Sequence, residues 1–123
     1  MDKIPKIIHQ TYKNNVDYQK LSDSWIKFHP KWKYIFYYDE DISDFIKTFK
    51  KEIDLDFPNL MQLFDSFSMI EKIDIFRYLL MYYQGGIYCD IDTTCYQTFD
   101  QVCQNESCIL GIEAYITEKK KRK

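Results

Sequence analysis

Gly85-Gly86-Ile87-Tyr88-Cys89-Asp90-Ile91-Asp92 is the stretch on which the fold turns. Adjacent glycines permit the left-handed backbone that ends a helix and starts a strand. Upstream, Met69, Ile73, Phe76, Leu80 and Tyr83 recur at helical spacing, so Ser66 to Tyr83 reads as one long helix with a core stripe. Downstream, Ile87 to Ile91 reads as a strand whose alternation sets Tyr88, Asp90 and Asp92 opposite Ile87, Cys89 and Ile91. Further out, Lys6 to Tyr12 and Tyr34 to Tyr38 read as strands, with a helix over Leu21 to Phe28 between them, capped by Ser22 or Asp23 and stopped by His29-Pro30. Asp41 to Lys51 carries Ile42, Phe45, Ile46 and Phe49 on one helical stripe with Asp39 or Asp41 as cap, and a short helix follows Pro58. Cys108 to Ala114 is a further candidate strand. Helices and strands in alternation predict an α/β sheet with flanking helices.

A chain of 123 residues can fill one small domain, and 46% hydrophobic with 18% aromatic residues can build its core. With a mean hydropathy of −0.47 and no long apolar run, nothing in it reads as a bilayer-spanning segment. The net charge is −2, but five cations form the run Lys119 to Lys123; residues 1–118 carry 12 basic against 19 acidic side chains, a net of −7. An acidic body repels a nucleic-acid backbone, so no nucleic-acid partner is expected, and an acidic site suits a metal. The expected organisation is a domain over 1–118 and a disordered basic tail over 119–123. The start at Met1-Asp2-Lys3-Ile4-Pro5 lacks the pattern of a secretory signal, so the chain as written reads as cytoplasmic. Cys89, Cys95, Cys103 and Cys108 form no Cys-x-x-Cys pair and read as small buried hydrophobes with reduced thiols.

Successive same-face residues of a strand stand roughly 7 Å apart, which suits one carboxylate on a divalent cation and another on a neighbouring hydroxyl. A metal-bound diphosphate sugar fits that spacing. An isolated Asp-x-Asp, however, is as readily a solvated strand end. In the preceding helix Asp74 and Arg77 lie three apart on one face. Two readings stand: an ordinary surface ion pair, or a pair turned by the double glycine into the same cleft as Asp90 and Asp92. His9 reads as a hydrogen-bonded core residue.

Ile4-Pro5-Lys6-Ile7-Ile8-His9-Gln10-Thr11-Tyr12-Lys13, then Asp74 to Arg77-Tyr78, then Gly85-Gly86-Ile87-Tyr88 with Asp90-Ile91-Asp92, resemble the sugar-nucleotide-binding region of glycosyltransferase family 32. Fungal α1,6-mannosyltransferases and mannosyltransferases acting on inositol phosphorylceramide belong to that family. Trp32 to Asp39 is similar to its aromatic and acidic pattern before the second helix. The resemblance implies a GT-A-like (Rossmann-like) sheet, a nucleotide-diphosphate sugar donor (GDP-mannose or a UDP-hexose), a glycan, glycolipid or protein acceptor, and Mn2+ (or Mg2+) with retention of configuration. By position it implies that Asp92 binds the metal, that Asp90 contacts ribose or sugar and helps fix the ion, and that Asp74 with Arg77 holds donor-sugar hydroxyls. Tyr12 matches the place of an aromatic ring against the base; packing at a strand end is the equal alternative. Many relatives are Golgi-associated. Relatives also continue past the region of Ile109 to Ile116, so three alternatives stand: a minimal enzyme, an assembly completed by another copy (a homo-oligomer) or another chain, or a fragment that binds donor without efficient transfer.

Asp90-Ile91-Asp92-Thr93-Thr94 also fits the Asp-x-Asp-x-Thr nucleophile motif of haloacid-dehalogenase-like phosphatases, although that motif follows the first strand in those enzymes. An EF-hand fails because Cys95 stands where glycine is needed. A non-catalytic nucleotide-sugar-binding subunit is the remaining alternative.

Overall fold

The computed structural model describes residues 3–11, 18–91, 93–106 and 108. Its elements run β1 (Ile7–Thr11), α1 (Tyr18–Phe28), β2 (Lys33–Tyr37), α2 (Asp39–Thr48), α3 (Lys50–Asp56), α4 (Leu60–Phe64), α5 (Met69–Tyr83), β3 (Ile87–Tyr88) and α6 (Asp100–Asn105). The strands form a parallel sheet in the order β2-β1-β3. Ile8 is opposite both Tyr34 and Ile87, and His9 is opposite both Ile35 and Tyr88. This is an α/β fold in one small domain, as the alternating elements predict.

Period-two alternation along β1 divides the core into two clusters. Ile8 packs with Trp25, Trp32, Cys89, Cys95 and Cys103 on the α1 side. The other side is filled by Tyr37, Ile42, Phe45, Ile53, Phe64, Phe76, Leu79 and Leu80, drawn from β2 and from α2 to α5. Central β1 is accordingly sealed from water: His9 and Gln10 are both 0% exposed. Their polar groups must then find partners inside the protein. His9 does so at both ring nitrogens, 2.9 Å from the Tyr37 hydroxyl through Nδ1 and 2.9 Å from the Gly85 carbonyl through Nε2. With Nε2 donating to the carbonyl, Nδ1 accepts from the hydroxyl, so the ring is neutral. His29 closes α1 in the same manner, donating from Nδ1 to the Trp25 carbonyl and accepting from the Phe99 backbone N–H at Nε2.

Several expected boundaries move. Helix α1 begins at Tyr18, so Ser22 and Asp23 lie within it and do not cap it; Ser22 is buried. The helix expected over Asp41 to Lys51 is two, α2 and α3, broken at Phe49, whose φ of −102° and ψ of 11° leave the helical region. Asp41 does serve the start of α2, but from its third position, where its carboxylate accepts from the Tyr38 N–H at 2.8 Å. Helix α5 starts at Met69 with Ser68 as N-cap in a reciprocal capping box with Glu71. Met69, expected in the core stripe, is exposed in that first turn, while Leu79 takes a core place. Strand β3 is two residues long, and α6 had no clear signal in its short, polar sequence. Cys89, Cys95 and Cys103 are buried free thiols, whereas Cys108 is exposed. The Ile109 to Ala114 part of the last candidate strand and the basic tail lie outside the described residues. Among the described residues no helix is long and apolar enough to cross a membrane.

Candidate functional site

Helix α5 ends where Gln84 donates its N–H to the Leu80 carbonyl, and Gly85 and Gly86 follow with φ of +71° and +98°. Both angles lie in the region that glycine enters at least cost. A Cβ on Gly86 would stand 2.5 Å from the Ile7 carbonyl oxygen and 3.1 Å from His9 Nε2, so the turn presses directly on β1. This tight return brings the outer face of α5 beside the C-terminal end of β3.

The return unites three of the expected site residues. Arg77 Nη2 donates to Asp74 Oδ1 at 2.7 Å, and Arg77 Nη1 stands 3.9 Å from Asp90 Oδ1. Asp74 and Arg77 form the helix ion pair, and that pair adjoins Asp90; Asp92, the remaining member of the expected cleft, lies outside the described residues. The guanidinium lies 5.8 Å from the centre of the Tyr88 ring, within cation–π range. Tyr88 in turn shares a 2.6 Å hydrogen bond with Thr11 Oγ1 at the end of β1, and burial raises its hydroxyl pKa. One cation is thus shared by two acids and backed by an aromatic ring, with half to three-fifths of each carboxylate side chain open to solvent. Such a site can receive hydroxyls at the acids and phosphate oxygens at the arginine.

The chain beyond β3 does not continue as the strand that alternation predicts. Thr93 N–H donates to the Asp90 carbonyl at 3.1 Å, closing a turn, and Ile91 is buried in it. Asp90 is presented from this turn rather than from a pleated strand. Asp92 and Tyr12 lie outside the described residues. Among the described residues no group of three or more His, Cys, Asp or Glu side chains could hold a metal ion by itself. Tyr88 was visible as a same-face neighbour of Asp90, but its partnership with Thr11 and Arg77 needed the fold.

Charged side chains beyond the carboxyl ends of parallel strands stand where open α/β sheets commonly receive ligands. The chain belongs to the family described as glycosyltransferase sugar-binding region containing DXD motif, whose model matches residues 15–109. That span takes in Asp74, Arg77, Asp90 and Asp92. The chain is 40% identical over 101 residues to inositol phosphoceramide mannosyltransferase 3 of Schizosaccharomyces pombe, covering 79% of this chain and 26% of the relative. It is 36% identical over 105 residues to the mannosyl phosphorylinositol ceramide synthase CSH1 of Saccharomyces cerevisiae, covering 79% and 25% respectively. With the initiation-specific alpha-1,6-mannosyltransferase of Candida albicans it shares 29% identity over 114 residues, covering 86% and 29%. The chain thus spans about a quarter of the length of the curated relatives it matches. No solved structure matches it significantly.

Proposed function

We propose that this chain forms the donor-binding part of a GT-A-like glycosyltransferase that moves a hexosyl group from a nucleotide-diphosphate sugar to an acceptor hydroxyl. The observation that carries the reading is Arg77 held between Asp74 and Asp90 at the carboxyl end of the sheet, in a chain of the DXD-containing family. The relatives' names favour mannose as the sugar, hence GDP-mannose first among the donors, with UDP-hexoses as comparison. An inositol phosphoceramide is the first acceptor to test for the same reason, ahead of other glycans, glycolipids or proteins.

In this reading Asp74 and Arg77 bind donor-sugar hydroxyls, Asp90 contacts the ribose or sugar, and Tyr12 lies against the base. Hard, exposed carboxylate oxygen suits Mn2+ or Mg2+, which commonly take one or two carboxylates and complete their shell with water and substrate phosphate. Asp90 offers such an oxygen with its side chain 61% exposed. Asp92 would hold the ion and Asp90 would help fix it. A divalent cation held there would supply Lewis-acid stabilisation to negative charge on the nucleoside diphosphate leaving group. The chain's own contribution is orientation: Asp74 and Asp90 set the position of Arg77, and the Tyr88 ring supports its plane. Transfer with retention, by attack of the acceptor on the leaving-group face, is the proposed stereochemical course.

Calorimetric titration of GDP-mannose, UDP-glucose, UDP-galactose and UDP-N-acetylglucosamine, with and without Mn2+, tests the reading. One donor should bind, and Asp92→Asn should abolish its Mn2+ dependence. Absence of donor binding by the wild-type chain under every metal condition overturns it.

A further inference from the structure

We propose that Gln10 is a positioning residue that latches the acid-bearing turn after β3 onto the sheet, and so sets where Asp90 stands in the donor site proposed above. Gln10 lies on central β1 and is fully buried. Burying an uncompensated amide costs about 1–3 kcal/mol, so a glutamine facing Ile8, Cys89 and Tyr34 neighbours calls for partners at both ends. It has them. The Tyr34 hydroxyl on β2 donates to Gln10 Oε1 at 2.6 Å, and Gln10 Nε2 donates to the Asp90 carbonyl at 3.1 Å. The Asp90 carbonyl, which can only accept, fixes which end of the amide faces it, because the opposite orientation would set oxygen against oxygen.

The location of this contact explains why a side chain is used. Backbone pairing between β1 and β3 extends to the bond from the Cys89 N–H to the His9 carbonyl. Strand β3 has ended at Tyr88, and the Asp90 carbonyl lies beyond it. The Gln10 side chain carries the β1 edge one step further than the backbone does. The same carbonyl also accepts from Thr93 N–H at 3.1 Å and from Thr93 Oγ1 at 2.6 Å. From the α1 side, Trp25 Nε1 donates towards Thr93 Oγ1 at 3.2 Å and the Thr93 carbonyl at 3.3 Å. The turn is therefore pinned between the sheet and α1, and the Asp90 carboxylate projects from a backbone fixed on both sides. Residues that orient ligands without touching the bound group typically change affinity by 10–100-fold when removed.

The test uses the full chain as Gln10→Met, which keeps length and apolar packing but cannot donate, Gln10→Glu, and Tyr34→Phe, which removes one hydroxyl. Amide hydrogen exchange is followed at Thr93, inside the turn, and at Cys89, on the ladder before it. Gln10→Met is expected to speed Thr93 exchange by about tenfold or more while Cys89 stays within about twofold. Tyr34→Phe should move Thr93 in the same direction by less, and it carries the test if both Gln10 variants fail to fold. In parallel, Mn2+-dependent donor affinity should fall by about tenfold or more in Gln10→Met. Unchanged Thr93 exchange in the folded variants overturns the latch. Faster Thr93 exchange with unaltered donor affinity, in a wild type that binds donor, overturns its positioning role. A wild type that binds no donor overturns the donor reading alone, because the exchange experiment decides the latch without any ligand.

Discussion

Arg77 is a planar cation with a different neighbour on each exposed side: Asp74 at 2.7 Å through one terminal nitrogen and Asp90 at 3.9 Å through the other. A lysine ammonium is a point charge on a flexible stem and cannot hold that fork. Arg77→Lys should weaken donor binding by about tenfold, read by calorimetry. Its melting temperature should stay within about 4 °C of wild type, because partly exposed pairs contribute only about 0.2–1 kcal/mol. The residues in this arrangement were legible to different degrees. Asp74 and Arg77 announce themselves by spacing, and Asp90 by its motif, because both signals are local. The place of Asp90 was misread as a pleated strand end, since alternation continues in the letters through Ile91 after pairing has stopped at Tyr88. Gln10 stands in the family-like stretch of β1 but showed no role of its own: its partner Asp90 is 80 residues away in sequence, and only the parallel β1–β3 pairing makes them neighbours.

Helix α5 is the element that delivers the site, and its two ends are secured by different chemistry. At the start, Ser68 accepts from the Glu71 N–H at 3.2 Å while Glu71 accepts from the Ser68 N–H at 2.8 Å. Ser68→Ala should cost about 1 kcal/mol, read as a melting temperature lower by a few degrees, with donor affinity unchanged. At the far end, Gly86→Ala forces a side chain into the φ +98° region and against the Ile7 carbonyl at 2.5 Å. A loss of at least about 2 kcal/mol in urea unfolding is expected, together with loss of donor binding as Asp90 moves away from Arg77. These ends were readable because caps and glycines act within one turn. The break between α2 and α3 was not, because Phe49 fits the apolar stripe of an unbroken helix. Its ring instead packs on Phe45 and stacks on Tyr83, with centroids 4.6 and 5.2 Å apart, a tertiary arrangement that periodicity does not carry.

For the whole molecule, the buried His9 and Tyr37 pair links stability to pH. Burial, its largest cause, lowers the His9 pKa from 6.5, so below that value the unfolded chain binds a proton that the folded chain refuses. The contribution of neutral His9 is complete above 6.5 and is lost as pH falls. Tyr37 behaves oppositely: burial first, with Asp41 adding, raises it from 10.0 to about 12, so stability declines as pH climbs through that window. The buried Cys89 thiol, raised by burial from 9.0 to about 12, sets an earlier upper limit, so urea unfolding across pH should give a plateau between about 6.5 and 9, and His9→Gln should flatten its acid flank. The parallel sheet β2-β1-β3 also bears on how the chain comes to be folded. Because β1 precedes both of its partners in sequence and is central in space, it meets β2 early but must wait for nearly the whole α-helical excursion before β3 arrives. Closure of that long loop is the entropically expensive step and should limit the folding rate. Until it closes, the β1 edge that will pair with β3 is bare on a growing chain, open to pairing with another nascent copy.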